Sequence, residues 1–302
     1  MVAKRLAVYT TVYPGVEPYL EVWHESVRNQ TDSDFDLYIG LDSVSPDELM
    51  SAIGRDSGAT LITAAAGSSP AQIRSAALEA LVEEYEAIVL VDSDDVLDPL
   101  RVSSARAATQ SFDLAGCALR LIDEAGHDLG RTFGPASSNN YEVLLSRHNI
   151  FGLSNTAYRS DILRRCLPIP TDCVLIDWLL ATRASAAGAS LTFDFTPRMA
   201  YRRHARNVTP LLPPFLPEDI LRATRLVLAH YRTVLISHAP VEGAHYWSRI
   251  NLAYRCAALF QQTITNDANK LERYVSALNE LDPVYVWWWC VANPKLEEIW
   301  RN

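Results

Sequence analysis

The stretch Ala87-Ile-Val-Leu-Val-Asp92-Ser-Asp94-Asp95-Val-Leu-Asp-Pro99 decides the fold. Its apolar run, Ile88 to Val91, reads as a strand buried on both faces, as in parallel sheets. Three carboxylates follow at once: Asp92, Asp94 and Asp95. In an open α/β sheet, ligands bind outside the carboxyl ends of the strands. Acids packed together there repel one another, so they need a cation or raised pKa values. Hard divalent ions take oxygen ligands, and Mg²⁺ is commonly held by one or two carboxylates together with substrate phosphates. The segment therefore suggests a metal-diphosphate site. A helix N-cap followed by a solvated acidic turn is the simpler alternative.

Upstream, strands and helices alternate. Leu6–Thr11 reads as a strand, and Pro18–Asn29 as an amphipathic helix with Leu20, Trp23 and Val27 on one face. Leu37–Leu41 is a second strand ending at Asp42. Pro46–Arg55 is a helix with Ser45 as its N-cap and Pro46 in the first helical position. Thr60–Ala64, Pro70–Glu84 and Ile88–Val91 complete the series as strand, helix, strand. This spacing predicts βαβ units and a mixed, mostly parallel sheet flanked by helices.

Beyond Pro99 the pattern loosens. Leu100–Thr109 reads as a helix, and Leu114–Ile122 opens a hairpin turning at Glu124-Ala-Gly126. A strand near Asn155–Tyr158, a helix over Ile176–Ala187 and a strand near Leu191–Phe193 follow. Next comes an Arg-rich loop, Arg198 to Asn207. The prolines of Leu211–Pro217 exclude a helix there. This predicts a domain over residues 1–210 and a helical extension over 211–302, with helices at Glu218–Ser237, Ala244–Thr263 and Ala268–Leu281. The aromatics Tyr285, Trp287, Trp288 and Trp289 are too close in sequence to share one helix face. They read as packing of the helical tail or a homodimer interface, with acceptor stacking or membrane contact as other uses.

A net charge of −9 argues against a nucleic-acid binder, whose footprint would be basic. Five scattered cysteines without a CxxC pair suit reduced thiols in a cytoplasmic protein. Leu6–Val12 is too short and polar for a leader, and no run approaches the roughly 20 apolar residues of a membrane span.

Taken in order, the motifs resemble those of the large inverting glycosyltransferase family 2, which has the GT-A fold. Thr11-Val-Tyr13 matches its first strand-end turn, and Ser26-Val-Arg-Asn-Gln-Thr31 its "S-V-x-x-Q-T". Gly40-Leu-Asp42 matches the second strand end, with one Asp where two are common. Ile73-Arg74-Ser-Ala-Ala keeps only the Arg of "A-R-N-x-G". Asp92-Ser-Asp94-Asp95 matches the DXD strand end, Ile176-Asp177-Trp-Leu-Leu-Ala-Thr-Arg183 matches "E-D-W-x-L-x-x-R", and Tyr201-Arg-Arg-His204-Ala-Arg-Asn207 matches "Y-R-x-H-x-x-N". The resemblance covers residues 6–209 and leaves the last ninety or so uncovered.

The resemblance implies an enzyme moving a sugar from a nucleotide-diphosphate donor, UDP by preference, to a hydroxyl of a saccharide, lipid-linked or protein acceptor. The location expected is the cytoplasm or the inner face of the membrane. Asp94, with Asp92 or Asp95 and with His204 as a further candidate, would hold Mn²⁺ or Mg²⁺ against the charge growing on the leaving diphosphate. Thr11, Tyr13, Asp42, Arg74, Asp92 and Ser93 would face the donor, with Asp42 accepting from a uracil N–H. Arg202, in the basic run, would clamp the diphosphate. Asp177 would serve as the base, its apolar neighbours favouring a raised pKa. Ile176 stands where the family usually has Glu. Residues 88–96 also fit the strand-D-x-D-x-V of haloacid-dehalogenase-like phosphatases, but three βα units precede them and no second acidic loop of that family's type follows. A non-catalytic sugar-nucleotide binder on a decayed transferase domain is the remaining alternative.

Overall fold

The computed structural model describes residues 6–65, 67–136, 140–204, 207, 211–236 and 244–301. It divides into two compact units. The first comprises residues 1–134 and 151–204, the second 135–150 and 205–302.

The first unit is built on a nine-stranded mixed sheet. In chain order it contains β1 (Leu6–Val12), α1 (Glu17–Arg28), β2 (Asp36–Leu41), α2 (Pro46–Ile53), β3 (Thr60–Thr63), α3 (Pro70–Glu84), β4 (Ala87–Leu90), β5 (Val96–Leu97), α4 (Arg101–Thr109), β6 (Leu114–Ile122) and β7 (Asp128–Phe133). After a short helix of the second unit, α5 (Tyr141–Leu145), it resumes with β8 (Thr156–Arg159), α6 (Ser160–Cys166), α7 (Ile176–Ala186) and β9 (Leu191–Arg202). The strand order is β3-β2-β1-β4-β8-β6-β9-β5, with β7 beside β6.

The predicted helix starts follow from their caps. Ser45 and Ser69 each cap a helix (α2 and α3) through a reciprocal capping box with Glu48 and Gln72, and a proline occupies the first turn. Strands β1 and β4 are buried along their full length, because helices cover both faces of the sheet. The parallel register pairs Val12 with Leu41 and Tyr9 with Leu90. Thr11, Asp42 and Asp92 therefore reach the same edge. Gly40 is required at that edge, since a Cβ there would lie 2.6 Å from the Tyr9 hydroxyl.

The first half of the expected Arg-rich loop, Arg198 to Arg202, is strand. β9 continues to Arg202, parallel to β6 and, at Met199 and Ala200, antiparallel to β5. Register shifts at Cys117–Leu119 accommodate Pro197 and hid the continuation from a periodicity reading. The short α6 and β5 gave no periodic signal.

The second unit holds α8 (Pro217–Ile236), α9 (Ala244–Asn266), α10 (Ala268–Glu280) and α11 (Glu297–Trp300). Residues 135–150 join it through Tyr231, whose hydroxyl donates to the Ser146 carbonyl, and through the Trp287 N–H, which donates to that of Asn149. Trp287, Trp288 and Trp289 are all buried, and the Trp289 indole N–H donates to the Leu211 carbonyl. This burial fits the packing expected of the helical tail, and within it Trp288 takes φ 71°. No described helix is long and apolar enough to cross a membrane.

Candidate active site

The acids after β4 form one cluster. An oxygen of Asp92, of Asp94 and of Asp95 can be chosen so that all three lie within 4.8 Å of one another. Burial, followed by repulsion from Asp94, pushes the Asp92 carboxyl up to about 7, while the Arg74 charge pulls it down and that of Asp177 adds to the rise. Asp95 is pushed up as well, again chiefly by burial.

The three carboxylates are held differently. Asp95 is almost wholly buried, and its two oxygens accept from the Ser154 hydroxyl and the Arg202 backbone N–H. Asp94 Oδ2 accepts from the Tyr13 hydroxyl at 3.3 Å and lies 2.8 Å from His204 Nε2. Burial and the facing acids push the Tyr13 phenol well up, so it keeps the proton it donates. Asp92 is half-buried; its carbonyl accepts from the Asp95 N–H, and its carboxylate accepts no hydrogen bond among the described residues. Three crowded carboxylates, two of them desolvated, with an imidazole against the third form a donor set that a divalent cation would relieve.

Neighbouring elements clip this turn in place. Gln30 of the Ser26–Thr31 motif accepts from the Val102 N–H and donates to the Asp98 carbonyl, and Ser26 accepts from the Leu97 N–H. Thr31 donates twice to the Pro99 carbonyl. This motif therefore anchors the acidic turn through its downstream backbone. Arg183 acts similarly on the segment before α7, donating to the Cys166 and Pro168 carbonyls.

No protein-family model matches the sequence, and no curated protein matches it. Solved structures do. The mannosyltransferase PcManGT from Pyrobaculum calidifontis, in complex with GDP-Man and Mn²⁺, matches at TM-score 0.60 and 14% identity, over 92% of this chain and 76% of that one. TarS 1-349 of S. aureus, in complex with UDP-GlcNAc, matches at 0.58 and 16%, over 90% and 78%. Glucosyl-3-phosphoglycerate synthase from Mycobacterium tuberculosis, in complex with phosphoglyceric acid, matches at 0.51 and 16%, over 79% and 82%. The chain has the GT-A glycosyltransferase fold. The phosphatase pattern weighed for Asp92 finds no support in these matches.

Within the GT-A fold, the expected donor-side residues separate into two groups. Tyr13, Asp92 and Arg74 act on one another electrostatically, and Asp42 acts on Tyr9 beside them. Asp177 is the second residue of α7, not its cap. Its Oδ1 accepts from the Trp178 N–H, and its charge reaches Asp92. Ile176 beside it is buried and offers no second carboxylate.

Other residues have structural partners. Ser93 is fully buried and donates to the Thr11 carbonyl, while the Thr11 hydroxyl meets Tyr9. Arg202, expected to clamp a diphosphate, is 4% exposed. Its guanidinium donates to the Asp94 and Glu124 carbonyls at 2.8 and 2.9 Å and stacks on Tyr19, because β9 carries it inward. Arg198 pairs with Asp194 and Asp98, and Arg206 lies outside the described residues. Sequence reasoning missed Ser154, Glu124 and Tyr19. Tyr19 stood one residue before the apolar stripe of α1, the only signal available.

Proposed function

We propose that this chain is a metal-assisted glycosyltransferase that moves a sugar, with inversion, from a UDP-sugar to an acceptor hydroxyl. The observation carrying the reading is the convergence of Asp92, Asp94 and Asp95 at the carboxyl end of β4, with His204 against Asp94 and Asp177 within electrostatic reach of Asp92. The GDP-Man and Mn²⁺ of one structural neighbour and the UDP-GlcNAc of another support a nucleotide-sugar donor and a divalent ion.

Asp92 and Asp94, with His204, would hold the cation, and an imidazole in the set favours Mn²⁺ over Mg²⁺. The ion would supply electrostatic stabilisation to the departing diphosphate. Asp95 keeps the turn in shape. Arg74, which acts on Asp92 and Tyr13, replaces Arg202 as the candidate cation for the donor phosphates. Tyr13 closes the donor side. Asp177 takes the acceptor proton, since an inverting transfer needs one base opposite the leaving group.

The test is a panel of nucleotide sugars incubated with and without Mn²⁺, with turnover followed by nucleotide release and the product anomer read by NMR. Mn²⁺-dependent release from a UDP-sugar, with inversion, is expected. Release of inorganic phosphate from p-nitrophenyl phosphate instead, lost in Asp92→Asn, would replace the transferase by a phosphatase.

A further inference from the structure

His204 is the donor in this set that comes from farthest along the chain, and something must fix its ring. The Tyr19 ring stacks on it, with centroids 5.4 Å apart and planes 29° from parallel. The Arg202 guanidinium carbon sits 4.8 Å from the Tyr19 ring centroid, within cation–π range. The Tyr19 hydroxyl donates to Glu124 Oε1 at 3.0 Å, and Arg202 donates to the carbonyl of the same Glu124. The aromatic ring from α1 is thus bracketed by the hairpin turn and by the end of β9. The His204 side chain that it touches is itself only 3% exposed.

This bracket borders a cavity of about 800 Å³ lined by Pro18, Val22, Val96 and Ile122. Tyr19 itself is only 8% exposed, so burial holds its ring together with these three partners. An imidazole left without this support could turn on its χ angles, because rotamer freedom limits a ligand's preorganisation.

We propose that Tyr19 is a positioning residue that fixes the His204 imidazole beside Asp94 for cation binding. The inference rests on the proposed cation site of Asp92, Asp94 and His204. Tyr19 itself touches neither cation nor donor; it acts through His204.

The experiment is a double-mutant cycle of Tyr19→Leu and His204→Ala in the full chain, with Tyr19→Phe as the conservative variant. Mn²⁺ affinity is read by electron paramagnetic resonance in the presence of excess UDP. Tyr19→Leu is expected to weaken Mn²⁺ by about threefold to tenfold, the effect of one ordinary aromatic contact. It should add nothing in the His204→Ala background, whereas Tyr19→Phe should stay within about twofold of wild type because the stacked ring survives. Additive losses, an unaffected Tyr19→Leu, or a Tyr19→Phe as weak as Leu would overturn the positioning role while leaving the cation site standing. Wild-type protein that binds no Mn²⁺, or that is unaltered by His204→Ala, would overturn the site and the positioning role with it.

Discussion

Asp177 and Asp92 carry different burdens at the residue scale. Asp177→Asn keeps the size of the side chain and an oxygen for the Trp178 N–H, so the fold should survive. Sugar transfer should fall by about 10²–10⁴-fold, the usual contribution of a general base. UDP affinity measured by calorimetry should stay within about twofold; loss of binding alongside activity would make Asp177 structural. Asp92 is held well above its unfolded value, at about 7, so the folded protein binds the extra proton between roughly pH 4 and 7. Stability of the metal-free protein therefore declines as pH rises through that window, and the penalty is complete above pH 7. Asp92→Asn should raise the Tm at pH 8, by about 2–4 °C for each kcal/mol relieved, and should leave it little changed at pH 4. Excess Mn²⁺ and UDP should raise the wild-type Tm and not that of the variant. A metal-free Asp92→Asn protein that melts below wild type at pH 8 would contradict this reading of the carboxylate.

At the scale of elements, the decisive pairing is that of β9 with β6 and β5, which draws Arg202 under the acidic turn. Asp95 accepts from the backbone of Arg202, and the Arg202 side chain donates back to Asp94, so strand end and turn are locked reciprocally. Arg202→Ala should therefore lower the Tm and weaken uridine and UDP to the same extent in parallel titrations. A selective loss of UDP would restore the clamp. This arrangement was not legible from sequence. The strand carries Arg198 and Arg202 and is interrupted by Pro197, and such a run has the composition of a solvated loop. What was legible is equally specific: the apolar strands ending at Asp42 and Asp92, the capped start at Ser45, and the acid triad itself. Periodicity and capping are local properties of the chain. The use of Ser26, Gln30 and Thr31 to grip residues 97–102 is not, because it depends on where β4 delivers that backbone.

Across the whole molecule, the two compact units differ in what they bury. The sheet unit gathers carboxylates whose pKa values are raised, whereas the helical unit holds a buried His230 and a partly buried His148 whose values are lowered. Burial pushes His148 down to about 4 and His230 down to about 3, so both are neutral in the folded state. Unfolding releases them to take up protons below about pH 6.5, which costs up to about 1.4 kcal/mol per pH unit for each histidine until the folded value is reached. Backbone hydrogen exchange should therefore show α8 losing protection between pH 6.5 and 4, while β1 and β4 retain theirs. Uniform loss in both units would remove the histidines as its cause. In the proposed function, the acids at the end of β4 bind a nucleoside diphosphate through a divalent cation. Calorimetric titration of UDP with Mn²⁺ or with EDTA, into wild type and Asp94→Ala, tests it most directly. Substantially tighter binding with Mn²⁺ in the wild type and no metal dependence in the variant are expected; UDP binding that ignores both EDTA and the substitution would remove the metal from the site.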